Sequence, residues 1–91
     1  MEKQLKILVV EDDKYIANFI AVSLEKDGYG LLCAQSADEG LFLFASHHPD
    51  IVLLDLGLPD KDGLEVIKAI RDSSDVPIMV VSARGQEKEK I

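Results

Sequence analysis

One acidic cluster and two single polar residues in this sequence stand directly after strongly apolar runs, where they could act together. Glu11-Asp12-Asp13 follow Leu5-Lys6-Ile7-Leu8-Val9-Val10, Asp55 follows Ile51-Val52-Leu53-Leu54, and Ser82 closes Ile78-Met79-Val80-Val81. Carboxylates about 5 Å apart repel by roughly 3 kcal/mol at an effective dielectric of about 20, so gathering several of them needs a compensating charge. A divalent cation supplies it. An all-oxygen set of carboxylates, a carbonyl and waters suits Mg2+ or Mn2+, and no thiol or imidazole stands at a strand end to favour a softer metal. With a cation present, one carboxylate can ligate it, another can hold a metal-bound water, and a third can act as a nucleophile toward phosphorus. A hydroxyl such as that of Ser82 can then hydrogen-bond a transferred phosphoryl oxygen.

These residues work as one site only if the fold brings the ends of the apolar runs to one rim. The run Leu5 to Val10 is of the kind buried on both faces in a parallel sheet. From Lys14 to Lys26, Ile16, Phe19, Ile20 and Leu24 recur at helical spacing, and Gly28 stops the pattern. Tyr29 to Ala34 gives a second strand, and Ser36 with Glu39 three residues later gives the start of a second helix, which Pro49 ends. A third strand, Ile51 to Leu54, leads through the turn-rich Gly57-Leu58-Pro59-Asp60-Lys61-Asp62-Gly63 into a helix over Leu64 to Arg71, with Val66, Ile67 and Ile70 inward. Pro77 introduces the fourth strand, Ile78 to Ser82, and the stretch from Ala83 to Ile91 reads as a loop with one polar helical turn. Alternating strands and helices imply βαβ units, hence an α/β doubly wound parallel sheet whose ligands bind outside the carboxyl ends of the strands.

Size and composition narrow the function classes. Ninety-one residues make one small domain with one core. At 47% hydrophobic and 30% charged residues the chain is globular in balance, without repeats or low-complexity tracts. No apolar run approaches the 18 or so residues of a membrane span and the amino end is no signal peptide, so a cytoplasmic location is expected. A net charge of −7 argues against this segment gripping nucleic acid, so any DNA binding belongs elsewhere. Cys33, the only cysteine, lies in an apolar stretch and is expected to be buried and structural. His47 and His48 are adjacent, hence on different helix faces, and read as polar residues at a helix end before Pro49. One side of Leu41-Phe42-Leu43-Phe44 reads as helix core, and Gln86 to Lys90 as a charge-balanced solvated surface.

Taken together, Ile7 to Asp13, Leu53-Leu54-Asp55-Leu56-Gly57-Leu58-Pro59-Asp60-Lys61-Asp62-Gly63 and Pro77 to Ala83 resemble a bacterial response-regulator receiver, with the block around Asp55 the most specific part. The resemblance covers essentially the whole chain and is nearest to receivers of the winged-helix transcription factors of the OmpR/PhoB kind. Asp55-Leu56-Gly57-Leu58-Pro59 and Ser82-Ala83-Arg84 are most similar to regulators of potassium-uptake operons. It implies a CheY-like sheet in the order 2-1-3-4. It also implies that Asp55 is the phosphoacceptor, Asp12 a direct Mg2+ ligand, Glu11 a carboxylate acting through a metal-bound water, and Gly57 the donor of a backbone carbonyl to the metal. Ser82 matches the hydroxyl that moves toward the phosphoryl group, Ala83 the small residue that leaves it room, and Pro59 and Gly63 the residues that shape the loop. Asp13 reads instead as a cap of the first helix. The implied partner is a sensor histidine kinase, and the implied whole-protein role is transcription control through a DNA-binding output domain. The chain itself is expected to be a phospho-acceptor and not an enzyme.

Receivers of this family continue through a fourth helix, a fifth strand ending in a lysine, and a fifth helix. Residues 1–91 thus read as a receiver incomplete at its carboxyl end, since Lys88 and Lys90 fall before any fifth strand. An uncovered sheet edge is a template for pairing, so self-association as a homodimer or by exchange of elements is expected. Two rival readings share the fold. A metal-dependent phosphatase usually carries Asp-x-Asp after one strand, and Asp55-Leu56-Gly57 lacks the second acid. A pseudo-receiver, acting only as an interaction module, usually loses the acids that this chain keeps.

Overall fold

β-Branched and leucine-rich tetrads and pentads with almost no polar residue give the chain its strands, and stretches with three- and four-residue apolar spacing give its helices. A computed structural model describes residues 4–81. Its elements are β1 (Lys6–Val10), α1 (Lys14–Glu25), β2 (Gly30–Ala34), α2 (Ala37–His47), β3 (Ile51–Leu54), α3 (Gly63–Arg71) and β4 (Ile78–Val80). They follow the predicted sequence of elements. The expectations for Ser82, Ala83 and the tail beyond them lie outside the described residues.

All three strand pairings are parallel, and the sheet order is β2-β1-β3-β4. β1 is central, and Ile7 to Val10 are buried on both faces as their continuous apolar run requires. On one face Leu8, Val10, Ala34, Val52 and Leu54 meet Ala37 of α2 and Val66 and Ile70 of α3 in the main core, with Ile67, Leu41 and Phe44 half-buried against it. Phe42, on the other side of α2, is exposed.

The opposite face corrects one expectation. Strand register sets Cys33, Val9, Leu53 and Met79 in one row across it. α1 packs over the β2 and β1 side of this face and Val9 is buried, but the helix has no fully buried residue of its own. Phe19 is 74% exposed and Met79 59%, so the apolar spacing of α1 marks a face with little packed against it among the described residues. Cys33 is exposed and not buried, because β2 is an outer strand with no strand paired on its far edge among the described residues. What shielding the thiol has still pushes it up from its ordinary pKa, helped by the charges of Glu25 and Glu39, which disfavours the reactive thiolate.

Helix ends follow local chemistry. Asp13 caps α1 by accepting from the backbone N–H groups of Tyr15 (2.9 Å) and Ile16 (3.2 Å). Past the other end of α1, Gly28 adopts φ +91°, a left-handed conformation that glycine takes without strain. Ser36 caps α2 by accepting from Glu39 N–H at 3.2 Å, while the Glu39 carboxylate reaches back to Gln35 N–H at 2.9 Å, one residue earlier than the usual reciprocal arrangement. His48 closes α2 in the left-handed conformation (φ 50°), donating to Phe44 O at 3.1 Å before Pro49. Replacing Asp13 by alanine orphans two helix donors and is expected to cost about 1 kcal/mol, measured as a shift of the urea midpoint at unchanged slope.

Candidate functional site

The strand registers build the site. Ala34, Val10, Leu54 and Val80 form one row across the sheet, so the residues that follow them emerge along one rim. The ladder runs one residue further: Glu11 N–H donates to Ala34 O at 2.9 Å, Asp55 N–H to Val10 O at 3.0 Å, and Val81 N–H to Leu54 O at 2.9 Å. Glu11 and Asp55 are thereby fixed side by side at the ends of β1 and β3. Strand order reverses between these two strands, which is where open α/β sheets form their ligand crevice.

One carboxylate oxygen from each of Glu11, Asp12 and Asp55 lies within 4.8 Å of the others. Glu11 and Asp55 are each only 3% exposed, and Asp12 is half-buried. Burial pushes the Glu11 carboxyl above the usual range, and the nearby charges of Asp55 and Asp12 and a side-chain hydrogen bond with Asp12 add to it. A backbone N–H from Asp13, donated to Glu11 Oε2 at 3.1 Å, opposes the rise without cancelling it. The three like charges repel one another here, a frustration that a bound cation would relieve. The donors are all hard oxygens, close together and partly desolvated, which fits a small divalent cation such as Mg2+.

The loop after Asp55 is shaped by three local devices. Gly57 N–H donates to Asp55 Oδ1 at 3.3 Å, which turns the chain beside the cluster. Gly63 N–H donates to Leu56 O at 3.1 Å and closes the loop onto the start of α3. A Cβ on Gly63 would stand 2.6 Å from Leu56 Cα, so this close approach needs glycine. Asp62 caps α3, accepting from Leu64 N–H at 3.0 Å. Pro59 is exposed on the loop.

Of the residues singled out from sequence, Glu11, Asp12 and Asp55 are thus brought together, with Gly57 next to them and Gly63 holding the loop. Ser82 and Ala83 lie outside the described residues, one and two positions beyond Val81. Two details of the loop escaped the sequence reading. The Asp62 cap had a signal, an Asp directly before a helical run. Asp60 had none, because its partners are more than 20 residues away: its Oδ1 accepts from Ala37 N–H at 2.8 Å and its Oδ2 from Asp38 N–H at 3.0 Å.

Comparison with known proteins agrees with this geometry. Residues 7–91 match the response regulator receiver domain family. The chain is 45% identical over 85 residues to the KDP operon transcriptional regulatory protein KdpE of Escherichia coli, covering 93% of this chain and 38% of that protein. It is 48% identical over 84 residues to the transcriptional regulatory protein KdpE of Staphylococcus aureus, covering 92% and 36% respectively. The chain therefore spans little more than a third of these relatives' length. Among solved structures, the chemotaxis response regulator CheY4 of Vibrio cholerae superposes with a TM-score of 0.83 at 27% identity, over 86% of this chain and 68% of that one.

Proposed function

This chain belongs to the response-regulator receiver family, and on that premise we propose that Asp55 accepts a phosphoryl group from the phosphohistidine of a sensor kinase. The observation that carries the proposal is the meeting of three carboxylate oxygens within 4.8 Å at the ends of two central, adjacent strands. Asp12, Asp55 and the Gly57 carbonyl would hold a magnesium ion, with Glu11 acting through a water. Bound there, the ion would neutralise charge on the transferring phosphoryl oxygens. Asp55 supplies the nucleophilic oxygen. As its bond to phosphorus forms, the bond from phosphorus to the histidine nitrogen breaks, and the electron pair stays on the imidazole. Ser82 is assigned the hydrogen bond to a phosphoryl oxygen, and Ala83 the space beside it.

The wider role follows from the relatives. A cytoplasmic transcription regulator, with DNA contacted by an output domain and not by this acidic segment, is the reading that the two KdpE relatives support. The described helices include none long and apolar enough to cross a membrane. The test of the site uses Mg2+ titrations with and without beryllofluoride, a phosphoryl mimic, on the parent and on Asp55→Asn. Saturable Mg2+ binding and mimic binding that needs both Mg2+ and Asp55 are expected. Mimic binding of equal strength in Asp55→Asn would remove Asp55 from the role.

Exposed Phe19 on α1, and exposed Met79 on the sheet face that α1 leaves partly open, support self-association of these 91 residues. Sedimentation over a concentration series should show mass rising with concentration. A constant monomer mass would dismiss the idea.

A further inference from the structure

We infer that Asp60 is a positioning residue for the metal site, holding the loop that carries Gly57 by gripping the amino end of α2. The inference rests on the reading of Glu11, Asp12, Asp55 and Gly57 as a Mg2+ site.

A helix leaves its first backbone N–H groups without intrahelical partners. In α2 these are accounted for one by one. Glu39 N–H is taken by the Ser36 hydroxyl and Gly40 N–H by Ser36 O at 3.0 Å, both from the helix's own cap. Ala37 N–H and Asp38 N–H are taken by the two oxygens of Asp60, from the other side of the crevice. Charge-assisted bonds of this paired kind are stronger than neutral ones, and the helix macrodipole adds to them. The same two N–H groups hold the Asp60 carboxyl below its ordinary range.

The anchor point is firm. Ala37 is wholly buried in the main core, and a Cβ on Gly40, one turn further along α2, would meet Val10 Cγ2 at 2.9 Å, so the helix start lies tight on β1. Asp60 stands midway in a loop fixed at one end by β3 and at the other by Gly63. Only Leu58 and Pro59 separate it from Gly57, and proline restricts how far that span can bend. Releasing Asp60 frees the middle of the loop, and with it the Gly57 carbonyl. A second tie, Lys61 Nζ to Asp38 at 2.9 Å, joins two exposed side chains and contributes little.

A cap that only stabilised α2 would leave cation binding alone, and this difference is measurable. Mg2+ dissociation constants would be determined by calorimetry at a temperature where every variant remains folded by circular dichroism. The comparison takes the parent, Asp60→Ala, Asp60→Asn, Ser36→Ala, Lys61→Met and Asp12→Ala. Asp60→Ala should bind Mg2+ about tenfold more weakly, the lower end of what losing support behind a metal ligand costs. Asp60→Asn, which keeps one acceptor oxygen, should fall between it and the parent. Ser36→Ala uncaps the same helix without touching the loop, so it should melt earlier yet bind within about twofold of the parent, as should Lys61→Met. Equal affinity in Asp60→Ala and parent overturns the inference, as does an equal loss in Ser36→Ala. Should Asp12→Ala bind as the parent does, or the parent bind nothing, the underlying metal-site reading is what fails. Should Asp60→Ala not fold, Asp60→Asn against Ser36→Ala decides.

Discussion

Asp55→Asn is expected to abolish phosphoryl acceptance and yet to make the metal-free protein more stable. Both effects follow from one geometry. Asp55 is buried beside Glu11 and Asp12, with one oxygen of each inside 4.8 Å of the others. Two full charges at that separation repel by about 3 kcal/mol at an effective dielectric of about 20. Burial and these neighbours raise the Glu11 carboxyl above its ordinary range, and water at the half-buried Asp12 screens part of the repulsion. Removing the Asp55 charge should therefore return less than the full term, about 1–2 kcal/mol. The asparagine fits the space, and its carbonyl oxygen can still accept from Gly57 N–H. It offers phosphorus no carboxylate oxygen, so no acyl phosphate forms. Thermal melts without Mg2+ should shift upward in Asp55→Asn, and adding Mg2+ should stabilise the parent more than the variant. A lower metal-free melting temperature in the variant would mean that the carboxylate cluster is not frustrated as described.

The sheet was legible because its strands are unusually plain. Runs such as Ile51 to Leu54 admit few other readings, and the position of each acid directly after such a run already indicates the rim on which it emerges. Register turned that indication into adjacency, through the row Ala34, Val10, Leu54 and Val80. Caps were readable for the same local reason: Asp13 and Ser36 act on N–H groups two or three residues away. What sequence could not disclose is long-range. Asp60 looks like one more loop acid, and only the packing of α2 against β1 brings Ala37 and Asp38 to it. The exposure of Cys33 is long-range too. Apolar character gives a residue's preference, but its burial depends on what another part of the fold lays over it, and among the described residues little lies over Cys33 or the outer side of α1.

Gly63→Ala is expected to cost stability, and Mg2+ affinity reports which side of the contact yields. On an ordinary helical position the substitution gains up to about 1 kcal/mol, since alanine is the better helix former. Here the added Cβ would lie 2.6 Å from Leu56 Cα, 2.8 Å from Leu56 Cδ2 and 3.2 Å from Asp55 O. The first and last of these are backbone, so no side-chain rotation relieves them. α3 must back away from the end of β3, or Asp55 and Leu56 must move, and Val66 and Ile70 lose part of their packing in the first case. Overpacking of this kind costs about 1–3 kcal/mol, and the rigid neighbours put the expected net loss near the upper end. Gly30→Ala provides the contrast. Its Cβ would meet Gln4 Oε1 at 3.1 Å, the far end of a flexible side chain that can swing aside, so the melting temperature should barely change. If Asp55 and Leu56 are what moves, Mg2+ affinity falls in Gly63→Ala along with stability. If α3 moves instead, stability falls and affinity holds. A Gly63→Ala protein as stable as the parent would show that the end of β3 and the start of α3 are not in the contact that shapes this loop.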